Sequence, residues 1–150
     1  MRTFTGLAQL EEAVGQEVGV SDWLTVEQER VDQFATATDD HQWIHVDRQR
    51  AAAGPFGTTI AHGYLTLALL VPLTHEAYHV EGVRMGLNYG LNRVRFPAPV
   101  PVGSRIRARV ALKSLEDIGG GVQAVWSVTV EREGGDKPVC IAESVVRWYE

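Results

Sequence analysis

The chain has 150 residues, 45% of them hydrophobic and 22% charged, and a net charge of −5. That is enough for one domain, 1–150, with a sizeable core, and the acidic balance excludes a general nucleic-acid binder. No apolar run nears the roughly 20 residues of a membrane span, Met1–Gly6 lacks a signal-peptide core, and Cys140 stands alone, so a reducing cytoplasm is expected and no membrane partner.

In chain order, 6–14 reads as a short helix with Thr5 as its cap and Gly15 as its stop. Val18 to Leu24 reads as a strand. Thr25-Val26-Glu27-Gln28 matches a capping box, in which Thr25 and Gln28 each satisfy a free backbone N–H. The helix it opens carries Val31, Phe34 and Ala35 on one stripe and runs to about Ala37. From Thr38 to Thr59 the chain is irregular, with a helical turn at 47–53 and a break at Gly54-Pro55-Phe56-Gly57.

His62 to Tyr78 is a helix of another kind. Leucines, valine and alanine cover nearly its whole circumference, so protein must surround it. Pro72 should kink it. The second half is strand-rich: Val83 to Phe96, then alternations through Ile106–Leu112 and Val122–Val130, then Val139 to Tyr149. Gly119-Gly120-Gly121 and Gly134-Gly135-Asp136 are hairpin turns, and Pro97–Pro101 is a rigid connector. One buried helix followed by about four long antiparallel strands predicts an α+β chain of the hotdog type, a curved sheet wrapped round a central helix.

Two short segments carry chemistry. Asp40 and His45 stand five apart in Asp39-Asp40-His41-Gln42-Trp43-Ile44-His45, and together a carboxylate and an imidazole can orient one water and take its proton. Gly63, after His62, opens the apolar helix. Its N–H is an unpaired first-turn donor, where a developing negative charge can rest. His41, His45, His62 and Asp40 are a conceivable zinc set, but without cysteine ligands or an HExxH motif no metal is expected. From Gly82 to Leu115 there is no acidic residue and seven basic ones. Arg105, Arg107 and Arg109 read as the wet face of a strand, while Arg93 and Arg95 suit a small polyanionic ligand.

Taken together, Phe34–Leu70 and Leu91-Asn92-Arg93-Val94-Arg95-Phe96-Pro97-Ala98-Pro99-Val100 resemble the MaoC-like dehydratases, the (R)-specific enoyl-CoA hydratases of the hotdog superfamily, and most of all the nodulation-protein-N-like branch. The resemblance implies reversible hydration of a trans-2-enoyl-CoA to an (R)-3-hydroxyacyl-CoA. Asp40 and His45 would act on the water and Gly63 on the thioester carbonyl. His62, Gln42, Trp43, Arg93 and Arg95 would contact substrate. It implies no cofactor beyond the coenzyme A of the substrate, and a homodimer. Gln42-Trp43 stands where many members carry Asn-Pro, and Asp39 where glycine is usual; aspartate tolerates a left-handed backbone better than most residues. A hotdog acyl-CoA thioesterase and a non-catalytic acyl-CoA binding module are the competing readings.

Overall fold

Ile106, Ala108, Val110 and Leu112 alternate with arginines, and all four are fully buried in the computed structural model, which describes residues 1–149. The elements in chain order are β1 (Arg2–Phe4), α1 (Leu7–Glu11), β2 (Glu17–Val20), β3 (Leu24–Thr25), α2 (Gln28–Thr38), α3 (Trp43–Val46) and α4 (Arg48–Ala52). They continue with α5 (Gly63–Ala68), α6 (Leu70–Ala77), β4 (Tyr78–Val80), β5 (Met85–Arg95), β6 (Arg105–Asp117), β7 (Gly121–Arg132) and β8 (Cys140–Tyr149). The main sheet is antiparallel in the order β2-β6-β7-β8-β5, with β3 also paired to β6. Its inner face, with Trp126, Val128 and Val130 of β7, packs in one core with Leu65, Leu69 and Leu73 of the helical segment. This is the sheet-round-helix arrangement expected. No helix among the described residues is long and apolar enough to cross a membrane.

The outer face of β6 decides between the two readings of its arginines. Arg105 meets Glu133 at 3.1 Å, Arg107 meets Glu131 at 2.9 Å and Arg109 meets Glu17 at 3.1 Å; Lys113 pairs with Glu143. Four of the seven basic residues in the acid-free stretch are therefore answered by glutamates from elsewhere in the chain, and among the described residues the outer face of β6 presents no open polyanion patch. Each surface pair is worth at most about 1 kcal/mol. Each buried Ile, Val or Leu contributes roughly 1.5–3 kcal/mol, so burial rather than charge sets which way β6 faces.

Several local expectations are corrected. The 6–14 helix is shorter, and the cap runs the other way: the Gln9 side chain accepts from the Thr5 N–H at 2.8 Å. The 18–24 strand is split at Ser21, whose hydroxyl accepts the Ala108 N–H at 2.9 Å. A short parallel pair, β1 with β4, ties the N-terminus to the end of the helical segment and buries Phe4. The apolar helix is broken between α5 and α6, at Leu69. Pro72 explains the position: its ring crowds the carbonyl four residues back, that of Ala68, and it offers no N–H to bond it. Protein does not surround this helix completely, since Tyr64 is 73% and Val71 42% exposed.

Candidate active site

The capping-box reading of Gln28 fails, and the failure exposes what builds the site. Glu27, with no side-chain bond, caps α2. Gln28 is in phase with Val31 and Ala35 and is buried with them. Its amide donates to the His45 carbonyl at 2.8 Å and to Asp32 Oδ1 at 2.9 Å, and it accepts from the Thr59 hydroxyl. One glutamine thus joins three segments: α2, the turn bearing His45 and the strand-like 59–61 stretch. That stretch is pinned in turn by the Pro-rich connector. Ala61 N–H donates to Val100 O at 2.8 Å, Val102 N–H to Thr59 O at 2.9 Å, and Ile60 bridges Pro101. Gln28→Leu should therefore leave buried polar partners orphaned at about 1–3 kcal/mol each. A thermal unfolding midpoint lowered by several degrees checks this; an unchanged midpoint contradicts it.

Asp39 ends α2 with φ 58° and ψ 21°, the left-handed conformation expected at this position. That turn delivers Asp40 to the surface, its side chain 48% exposed. Asp40 Oδ1 faces the Gln42 N–H at a long 3.4 Å. His45 is 6% exposed, and its Nδ1 lies 2.7 Å from the Ile60 carbonyl oxygen. A carbonyl only accepts, so Nδ1 carries the proton and Nε2 keeps its lone pair. Nε2 has no protein partner among the described residues and is not fully enclosed. Burial lowers the His45 pKa below its ordinary 6.5, opposed by the Ile60 bond and by Asp40 and reinforced by His62.

His62 is 2% exposed. Its side chain lies inside the fold at the start of α5. Its ring stacks under His45, centroids 3.8 Å apart and planes 25° apart. Its Nε2 lies 2.9 Å from the main-chain oxygen of Asp40. One donor atom each from Asp40, His45 and His62 falls within 4.8 Å of the others, so the two separate sequence motifs converge on one site.

Gly63 follows at the first position of α5, and its N–H makes no hydrogen bond among the described residues. Phe96 covers its Cα; a methyl group added there would sit 3.1 Å from the ring. Trp43 is partly buried beneath Arg50, 4.4 Å from its guanidinium, and packs on Gly54. It packs between these two residues of the 47–57 segment. Gln42 is exposed beside Asp40. Arg93 and Arg95 lie exposed near the end of β5, the latter one residue from Phe96, and neither bonds Asp40, His45 or His62 among the described residues. Gln28, Ile60, Phe34 and Phe96 were not anticipated. For Gln28 alone a signal existed, a polar residue in phase with an apolar stripe.

Comparison with known proteins identifies the family. Residues 9–133 match the family model described as MaoC like domain. The 3-hydroxyacyl-thioester dehydratase Z of Mycobacterium tuberculosis is 64% identical over 149 residues, 99% of each chain. Nodulation protein N of Rhizobium leguminosarum bv. viciae is 47% identical over 139 residues, 91% of this chain and 86% of that protein. Among solved structures, the (R)-hydratase from A. caviae superposes with a TM-score of 0.70 at 24% identity, covering 88% of this chain and 96% of that one, a likeness of fold.

Proposed function

The chain belongs to the MaoC-like dehydratase family and is a hydro-lyase of that hydratase/dehydratase kind, and from that premise we propose that it hydrates a trans-2-enoyl-CoA reversibly to the (R)-3-hydroxyacyl-CoA. The observation that carries the proposal is the fixed tautomer of His45, whose Nε2 lone pair stands beside the exposed Asp40 carboxylate. A water held between the two loses a proton to them as its oxygen adds to the β-carbon. The electron pair of the double bond moves toward the thioester oxygen, where the Gly63 N–H accepts the developing charge as a hydrogen-bond donor. The α-carbon then takes a proton back from the same pair of side chains. No step calls on a metal or redox cofactor. Arg93 and Arg95, both exposed at the end of β5, are the candidates to meet the carrier's phosphates. The chirality of the product from a crotonyl-CoA to dodecenoyl-CoA series tests the proposal: (R)-3-hydroxyacyl-CoA is expected, and an (S) product contradicts it.

The proposal includes a homodimer formed through β5. That strand is a sheet edge, and Met85, Leu87, Tyr89 and Leu91 on it are 43–59% exposed. Such an edge invites pairing unless it is covered. A cavity of about 700 Å³ between the helical segment and β5/β8 opens along it, lined by Leu67, Val71 and Leu91 among others. Tyr64 and Val71 of the helical segment are exposed as well. Sedimentation should give twice the chain mass, and Leu87→Lys with Tyr89→Lys should give a monomer. A monomeric wild type contradicts the dimer.

A further inference from the structure

We propose that His62 is a positioning residue, which holds the Asp40 main chain through its Nε2–H and supports the His45 ring by stacking beneath it. The inference rests on the hydratase reading of the site. The Asp40 carbonyl oxygen 2.9 Å from Nε2 can only accept, so the proton of the His62 ring sits on Nε2. Nδ1 is then a lone pair, and it is buried with no partner among the described residues. An orphaned buried nitrogen is costly. A phenylalanine would fill the same space, between Phe34 at 5.0 Å and His45 at 3.8 Å, without that cost. What histidine adds is the one bond to Asp40, directly after the left-handed Asp39. The two reacting groups therefore share a single support: one edge of the His62 ring sets the carboxylate's backbone, and one face sets the imidazole.

The groups facing His45 are Asp40 and His62, with the uncharged Gln28 amide and Ile60 carbonyl behind it. His62 acts on His45 in the direction of a lower pKa, so losing it should move the acid limb of the kcat/KM profile to higher pH.

The test uses His62→Phe, which keeps the stack and loses the tether, and His62→Gln, which can keep the tether and loses the stack. His62→Phe is expected to lower kcat about 10-fold or more, the usual penalty for a small misplacement, with KM within about threefold and the acid limb shifted upward. His62→Gln should recover part of kcat. A folded His62→Phe protein with unchanged kcat and unchanged acid limb overturns the inference, as does an effect on KM alone, which would make His62 a substrate contact. Should His62→Phe not fold, nitrogen NMR of the wild-type ring decides: a protonated Nε2 and bare Nδ1 support the tether, and the reverse tautomer overturns it. A wild type that hydrates no enoyl-CoA overturns the enzymatic reading itself; an active wild type with an indifferent His62→Phe overturns only the role of His62.

Discussion

Replacing His45 with glutamine is expected to lower kcat/KM for enoyl-thioester hydration by about 10²–10⁴-fold, and Asp40→Asn by a similar factor. Glutamine can still reach toward the Ile60 carbonyl that fixes the imidazole, but it cannot take a proton at the position of Nε2. Asparagine keeps the shape of Asp40 and loses its basicity. Asp40 is half exposed and its carboxylate makes only long contacts, so Asp40→Asn should fold as well as the wild type. The pH dependence carries a sign. Burial, first among its causes, lowers the His45 pKa from 6.5. The base form therefore persists below pH 6.5, and activity falls only as pH drops through the lowered value. Stability follows the same course. The unfolded chain takes up the proton first, so the stabilising contribution is full above about 6.5 and is lost as pH falls through the folded-state value. Initial rates by loss of enoyl absorbance, with circular dichroism of each variant, check both statements. Either variant with wild-type turnover contradicts the assigned roles.

Gly63 offers a cleaner experiment than a backbone donor usually allows. Proline is tolerated at the first position of a helix, and His62 before it has ψ 141°, the extended conformation that a residue preceding proline requires. Gly63→Pro thus removes the N–H and spares the helix. Gly63→Ala is the control. Both add a Cβ 3.1 Å from the Phe96 ring, and Phe96, 40% exposed, has room to give way. Any difference between the two variants reports the N–H. Gly63→Pro should fall about 10²–10³-fold in kcat below Gly63→Ala, the worth of one oxyanion donor. Equal rates for the two would remove the N–H from the mechanism.

The period of two in β6 and β7 made the sheet legible, because one face of each strand is buried and the other wet. The apolar circumference of 62–78 marked the central helix for a like reason, and Pro72 announced a break whose place, at Leu69, follows from the geometry of its missing bond. Asp40, His45 and Gly63 were legible as types and spacings. Their convergence was not, since it depends on Gln28, Thr59 and the Val100 carbonyl, three contacts with no shared pattern in the chain. Gln28 satisfied a local rule, the capping box, while tertiary hydrogen bonds claimed it. The same long-range pairing hid the arginine ladder: an acid-free stretch looks basic in one dimension and is neutralised by Glu17, Glu131 and Glu133 across the sheet. A histidine beside the helix-opening glycine suggests a ligand contact; its burial and its stacking under His45 come from the fold and have no mark in the local sequence.

The most direct test is to incubate the wild-type protein with crotonyl-CoA and follow enoyl absorbance and free thiol together. The proposed activation of a water by Asp40 and His45 predicts loss of enoyl absorbance with no thiol released. Thiol appearing without hydration would mean thioester cleavage and would contradict the account.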